Sequence, residues 1–126
     1  TAYTAMRELL ALPERPTAVF CASDAMALGA LRAIHDAGLS IPDDIAVLGF
    51  DGIEQAAHTV PPLSTIGQPV DLLGREAVAM LLQRIETPDA PPMHRILPTE
   101  LQLRASCGCQ PAPVAPSTSE EEAAPV

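Results

Sequence analysis

Two short apolar runs, separated by the length of one helix, constrain this chain more than any other feature. They are TAVFCA at residues 17–22 and IAVLGF at residues 45–50. Continuous runs of this kind are typical of strands covered on both faces in a parallel sheet. The segment between them has helical spacing, Ser23 or Asp24 can cap its start, and Gly38 can end it. We therefore predict a βαβ unit with a right-handed crossover.

The remaining patterns extend this unit. Residues 1–12 and 70–86 have the spacing of amphipathic helices, and residues 63–69 are expected to contain a further strand and a crossing segment. The helix predicted at residues 70–86 has one apolar side, formed by Leu73, Ala77, Met80, Leu81 and Ile85. Partial alternation around Leu101 and Leu103 predicts an edge strand or a loose hairpin.

The end of the chain has a different composition. From Cys107 onward it is rich in Pro, Ala, Ser and Glu, and such a segment buries too little apolar surface to offset its ordering entropy. We predict an α/β domain with a parallel sheet over residues 1–106 and a disordered tail over residues 107–126.

Charge and composition exclude several functions for this stretch. Seven Lys and Arg residues against sixteen Asp and Glu residues leave a net charge of -9, which repels a phosphate backbone. Aromatic residues make up only 2%, so stacking surfaces for bases are nearly absent. No apolar stretch approaches the roughly 18 residues of a membrane span. Since the chain opens on Thr1, inside a helical pattern, we expect a fragment of a longer protein.

The three cysteines favour a reducing, cytoplasmic location. Cys21 lies in an apolar run and is expected to be a small buried side chain. Cys107 and Cys109 have the spacing of a metal half-site or a redox pair, but the second pair that a zinc site needs is missing. We predict no metal and no cofactor.

Polar side chains follow both predicted strands. Ser23 and Asp24 come after the first, and Asp51 comes directly after the second. Ligands of open parallel sheets bind beyond the carboxyl ends of the strands, so these three side chains are expected to border one crevice. An ionised carboxylate there suits a polyol or a nucleobase. Two simpler alternatives stay open, since Asp24 can be only a helix cap and Asp51 with Gly52 only a turn.

No catalytic motif is present. The chain has no glycine-rich phosphate loop, no nucleophile elbow and no HExxH motif, so we predict a protein that is not an enzyme. An acid/base pair formed by Asp24 and Asp51 is the one enzymatic alternative that the residues leave open.

Three linked motifs resemble one family. They are ASDAMALGALRA, GLSIPDDIAVLGFDG and PPLSTIGQP, at these intervals, and together they resemble the C-terminal part of the effector domain of LacI/GalR-type transcription regulators. The resemblance covers about residues 1–106. It implies a fold like that of periplasmic sugar-binding proteins, in which two α/β lobes close on a small effector of the sugar or nucleobase type.

The resemblance also implies roles for individual residues. Asp51 matches an effector-contacting aspartate, Ser23 a polar position that touches effector, and Asp24 the aspartate at a helix start. Gln68 lies on a segment that crosses between lobes, beside the cleft. A homodimer seam is implied on the outward side of the first crossover helix and around residues 58–60, and the residues assigned to it are Leu28, Leu31, Arg32 and Val60.

This chain departs from the family in what it lacks. The DNA-binding headpiece and most of the N-terminal lobe are missing, so operator DNA is expected to be contacted only by that absent headpiece. The helix at residues 70–86 would belong to the absent lobe, which predicts an exposed apolar stripe. The alternative function is a sugar-binding component of a transport system with the same fold.

Overall fold

The structure is a computed structural model that describes residues 1–109. It has three helices, four strands and two short 3-10 turns in the described part of the chain. The helices are α1 (Ala2–Leu10), α2 (Asp24–Asp36) and α3 (Val70–Glu86). The strands are β1 (Ala18–Phe20), β2 (Ala46–Asp51), β3 (Ser64–Gly67) and β4 (Glu100–Gln102). The turns span Glu54–His58 and Ala105–Cys107.

The four strands form one sheet in the order β1-β2-β3-β4. The first three are parallel, with Val19 opposite Val47 and Gly49 opposite Thr65. Strand β4 pairs antiparallel with β3, which confirms the predicted edge strand. The predicted βαβ unit is confirmed as β1, α2 and β2, and the chain is an α/β protein with a mostly parallel open sheet.

The core lies between α2 and the sheet. Helix α2 buries five apolar side chains, and the sheet side contributes one residue within β2 and the residues just before β2 and β3. The set is Ala27, Ala30, Leu31, Ala33 and Ile34 with Val47, Ile45 and Leu63. Helix α1 packs on α2 and buries Met6. Each Å² of apolar surface that these side chains remove from water stabilises the fold by about 25 cal/mol, which is the main stabilising contribution.

Strand β1 corrects one prediction. The apolar run at residues 17–22, which contains β1, was expected to be covered on both faces of the sheet. In the structure, Ala18 is exposed and Phe20 is 58% exposed. Successive side chains of a strand point to opposite faces, and α2 covers only the face that carries Val19 and Val47. The apolar run therefore predicted a strand correctly but overstated its cover within residues 1–109.

Helix α3 has no buried residue. Of the predicted apolar stripe, Ile85 is 65% exposed and Leu73 and Leu81 are also exposed, whereas Met80 is half-buried, so most of the predicted exposed stripe is confirmed. Within residues 1–109, no helix is long and apolar enough to cross a bilayer.

The C-terminal part of the described chain is held against the central strands. Ser106 is fully buried, and its hydroxyl donates to the Val47 carbonyl at 2.6 Å and accepts from the Ser64 amide at 2.8 Å. Cys107 ends the second 3-10 turn and contacts Ser64, so ordered structure continues past the predicted boundary at residue 106. Most of the predicted tail, residues 110–126, lies outside the described residues.

Candidate functional site

The carboxyl ends of the three parallel strands bring the predicted residues to one edge of the sheet. Ser23 and Asp24 follow β1, Asp51 ends β2, and Gln68 follows β3. Because β2 lies between β1 and β3 and pairs with both, Asp51 stands at the centre of this edge. Ligand sites of open α/β sheets occupy this position.

Asp51 and Gln68 are joined by two hydrogen bonds. The Gln68 side-chain amide donates to Oδ1 of Asp51 at 2.8 Å, and the Gln68 backbone amide donates to the Asp51 carbonyl at 3.0 Å. Both side chains are partly exposed. Oδ2 of Asp51 accepts no hydrogen bond from any residue in the range 1–109, so one carboxylate oxygen is free to accept from a ligand.

Asp24 occupies a different position from the one expected of a ligand contact. Its side chain has no exposed surface. Oδ1 accepts from the Thr65 hydroxyl at 2.6 Å, and Oδ2 accepts from the backbone amides of Gly52 and Ile53, both at 2.9 Å. We therefore remove Asp24 from the set of residues that reach a ligand. Its burial also removes it as the exposed partner of Asp51 in an acid/base pair.

Two glycines, Gly49 and Gly52, allow close packing around Asp24 and β3. A Cβ atom at Gly49 would lie 2.1 Å from Oδ1 of Asp24, so only glycine fits there. Gly52 has a φ of +79°, and a Cβ atom on it would lie 2.6 Å from the Cα of Gly67. Gly49 thus leaves space for the buried carboxylate of Asp24, and Gly52 allows the close approach of Gly67 in β3.

Asp51 itself has an unusual backbone. Its φ is 121°, a region that residues with a side chain rarely adopt and that costs roughly 1–3 kcal/mol. The two amides that follow it, those of Gly52 and Ile53, are the donors to Asp24. The buried carboxylate of Asp24 therefore holds the loop that sets the direction of the Asp51 side chain.

Ser23 is the N-cap of α2. Its hydroxyl oxygen accepts from the backbone amide of Met26 at 3.2 Å, and its side chain is partly exposed. Cys21, two residues earlier in the chain, is buried. Burial, together with the charge of Asp24, raises the pKa of the Cys21 thiol, so this cysteine stays protonated as a packing residue.

The residues assigned to a dimer seam divide into two groups. Leu28, Arg32 and Val60 line one surface groove with His35 and Thr59, and Val60 is 94% exposed. Leu31 borders the same groove, but it is only 7% exposed and belongs to the core. Leu31 therefore does not turn outward as expected, because its side chain is almost fully covered within residues 1–109.

The residues around Asp24 were the part of the site that sequence reasoning missed. Thr65 was not singled out, although it makes the shortest bond to Asp24. In the sequence, Thr65 is marked only by its place in the predicted third strand. The structure places it two residues before the end of β3, in register with Gly49. Within residues 1–109, no group of three or more His, Cys, Asp or Glu side chains is arranged to hold a metal ion.

Comparison with known proteins adds independent findings. A family model described as a periplasmic binding protein-like domain matches residues 1–107. The chain is 44% identical over 107 residues to the HTH-type transcriptional repressor CytR of Escherichia coli (strain K12), a match that covers 85% of this chain and 31% of that protein. The chain thus spans about a third of the length of this curated relative.

Solved structures give the same result. A LacI family transcriptional regulator from Enterococcus faecium with bound ribose aligns with a TM-score of 0.74 and 35% identity, over 84% of this chain and 39% of that one. The lac repressor dimer bound to operator and the anti-inducer ONPF aligns with a TM-score of 0.76 and 37% identity, over 84% of this chain and 37% of that one.

Proposed function

Because the chain belongs to the periplasmic binding protein-like domain family of LacI-type regulators, we propose that it is the effector-binding portion of a transcription regulator. It supplies one wall of a pocket for a small polar effector. The proposed parent protein binds operator DNA through a separate headpiece. CytR and the two aligned structures are regulators, which favours this function over the transport alternative.

One observation carries the proposal. Asp51 has a strained backbone and a half-buried carboxylate whose Oδ1 is already held by Gln68, and its Oδ2 is free within residues 1–109. A carboxylate fixed in this way can accept from a ligand hydroxyl without first losing rotational freedom. Backbone strain is retained where the surrounding structure holds it in place, and such positions cluster at ligand sites.

The chemistry favours a sugar as the effector. A carboxylate and an amide side by side offer acceptors and a donor for adjacent hydroxyl groups, and charge-assisted bonds to the carboxylate are about twice as strong as neutral ones. None of the three candidate residues, Ser23, Asp51 and Gln68, carries a positive charge that could pair with a phosphate. The relative from Enterococcus faecium binds ribose, so pentoses are the first ligands to test.

The test uses the complete regulator in calorimetric titrations with ribose and a panel of other sugars and nucleobases. For the effector found, Asp51→Asn should weaken binding roughly 10- to 100-fold, since a hydrogen bond to a charged group is worth about 1.5–3 kcal/mol. Operator affinity without effector should remain unchanged.

Asp43→Asn is the matched control. It removes the same charge from an exposed residue at the opposite end of β2, so effector affinity should be unaffected. Equal affinities for the wild type and Asp51→Asn would contradict the assignment of Asp51.

We also propose a homodimer in the parent protein, with its seam on the groove formed by Leu28, Arg32 and Val60. The nearly complete exposure of an apolar residue at Val60, beside the half-buried Leu28, supports this surface. Sedimentation should show dissociation of the complete regulator on Val60→Asp, whereas Ile96→Asp, at a residue 98% exposed in another part of the chain, should leave the dimer intact. An unchanged dimer in Val60→Asp would place the seam elsewhere.

A further inference from the structure

Two cysteines lie one residue apart at the C-terminal end of the described chain. Cys107 is half-buried and Cys109 is exposed, and neither is in a disulfide. Gly108 between them has a φ of +72°, so the chain turns and brings Cys109 back toward Cys107. The Cys109 amide donates to the Cys107 sulfur at 3.4 Å, and the Cys109 thiol lies 3.9 Å from the Cys107 carbonyl oxygen.

The sulfur of Cys107 faces a hydroxyl group that can stabilise its thiolate. Oγ of Ser64 lies 3.1 Å from this sulfur and 3.0 Å from the Arg104 carbonyl oxygen. A serine hydroxyl has one hydrogen, so it can bond to either acceptor. When Cys107 is protonated, its thiol can instead approach the Arg104 carbonyl, at 3.6 Å. Loss of the proton lets Ser64 turn to the sulfur.

The two thiols are made unequal by these contacts. Burial disfavours the Cys107 thiolate, but the hydrogen bonds from Ser64 and from the side chain and backbone of Cys109 outweigh it and lower the pKa of Cys107. The hydrogen bond to Cys107 and its charge raise the pKa of Cys109. Thiolate is the reactive form of cysteine, so Cys107 is the nucleophile of the pair and Cys109 is available to react second.

We propose that Cys107 and Cys109 form a modification site for hydroperoxides, at which a two-electron oxidation converts the pair into an intramolecular disulfide. The reach is sufficient. The Cα atoms of two residues separated by a single intervening residue lie at most about 7 Å from each other, and the turn at Gly108 shortens this toward the roughly 4.4–6.8 Å of a disulfide.

The reaction balances in two steps. The Cys107 thiolate attacks the terminal oxygen of a hydroperoxide, so that an S–O bond forms and the O–O bond breaks. The peroxide is reduced to an alcohol, or to water if it was hydrogen peroxide, and Cys107 becomes a sulfenic acid. The Cys109 thiolate then attacks the Cys107 sulfur, the S–S bond forms, and hydroxide leaves and is protonated to water.

Cys21 provides an internal reference in the same chain. It is only 8% exposed, and burial and the charge of Asp24 raise the pKa of its thiol. The raised pKa disfavours the Cys21 thiolate, and the low exposure hinders access of peroxide to its sulfur. The oxidation is therefore expected to be confined to Cys107 and Cys109.

The test treats the whole 126-residue chain with hydrogen peroxide and maps the products by mass spectrometry. We expect a monomer that has lost the mass of two hydrogens, with Cys107 linked to Cys109 and Cys21 unmodified. In Cys109→Ser, a dimedone adduct should form on Cys107, because the sulfenic acid has no second thiol to react with. In Cys107→Ser, no such product should form on Cys109 under the same conditions.

Alkylation rates test the role of the fold. At neutral pH, Cys107 should react with iodoacetamide about tenfold faster than Cys109, and guanidinium should abolish this difference. Ser64→Ala should reduce it several-fold, whereas Ser40→Ala, at an exposed serine, should not. Faster alkylation of Cys109, a difference that persists in guanidinium, or disulfides only between molecules would each overturn the proposal.

Discussion

Helices α2 and α3 are both amphipathic by sequence, yet only one of them is packed. Helix α2 lies between β1 and β2 in the chain, and it buries five apolar side chains between α1 and the sheet that those strands form. Helix α3 is longer and buries none. The apolar pattern of a helix determines which of its faces can be buried. Whether that face is buried depends on which other elements of the fold lie against it.

The family resemblance gives a reason for the difference. It implies that α3 belongs to a second lobe, and the curated relative CytR is about three times as long as this chain. We expect the apolar side of α3 to be covered by that lobe in the parent protein. Three pairs of substitutions test whether the two helices differ in this way.

The largest effect is expected for a pair of isoleucines. Ile34→Ala in α2 removes a fully buried side chain and should lower the free energy of unfolding by about 2–5 kcal/mol. Ile85→Ala in α3 removes a side chain that is 65% exposed and should change it by less than about 0.5 kcal/mol. Urea denaturation curves measure both. Equal losses would show that α3 is packed in solution.

The second pair compares aspartates in the first turn of each helix. In the wild type, both carboxylate oxygens of Asp24 accept hydrogen bonds, whereas the Asn side chain of Asp24→Asn has only one oxygen acceptor. The free energy of unfolding should therefore fall by about 1.5–3 kcal/mol. Asp71→Asn in α3 removes only an exposed favourable charge at a helix start, worth roughly 0.3–1 kcal/mol. Thermal denaturation compares the two. A loss for Asp24→Asn no larger than that for Asp71→Asn would contradict its supporting role.

The smallest effect is expected for a pair of glycines. A Cβ atom at Gly74 would have no other atom within 4 Å, so Gly74→Ala should stabilise α3 locally by about 1 kcal/mol and raise helical circular dichroism. A Cβ atom at Gly29 would lie 3.1 Å from the Tyr3 amide nitrogen, so Gly29→Ala should push α1 away and offset that gain. A gain in helicity and stability for Gly29→Ala would show that α1 is loosely held.

The elements of the fold were largely predictable from local pattern. The βαβ unit, the edge strand and the extent of α3 follow from periodicity and from Pro and Gly positions, which depend on neighbours in sequence. The cover of β1 and the burial of Leu31 were not predictable, because both depend on which elements lie against each face.

For the candidate site, the sequence predicted the residues at the carboxyl ends of the strands but not the buried contacts of Asp24. Strand order places Ser23, Asp51 and Gln68 at the same end of the sheet. The roles of Ser23 and Asp24 could not be separated by sequence, because either residue can cap a helix. Their distinction requires the space that Gly49 leaves for a carboxylate and the donor that Thr65 presents from β3, and both appear only when three strands are side by side.

Ser106 has a consequence for synthesis on the ribosome. Its hydroxyl bonds to the Val47 carbonyl, 59 positions earlier, and to the Ser64 amide, 42 positions earlier. Strand β4, the antiparallel neighbour of β3, ends only four residues before Ser106, so β3 lacks both partners until nearly the whole described chain has been translated. Unpaired edges are sites of mistaken association between nascent chains. Stop codons placed just before Glu100, which remove both β4 and Ser106, should yield polypeptides that need chaperones to remain dispersed.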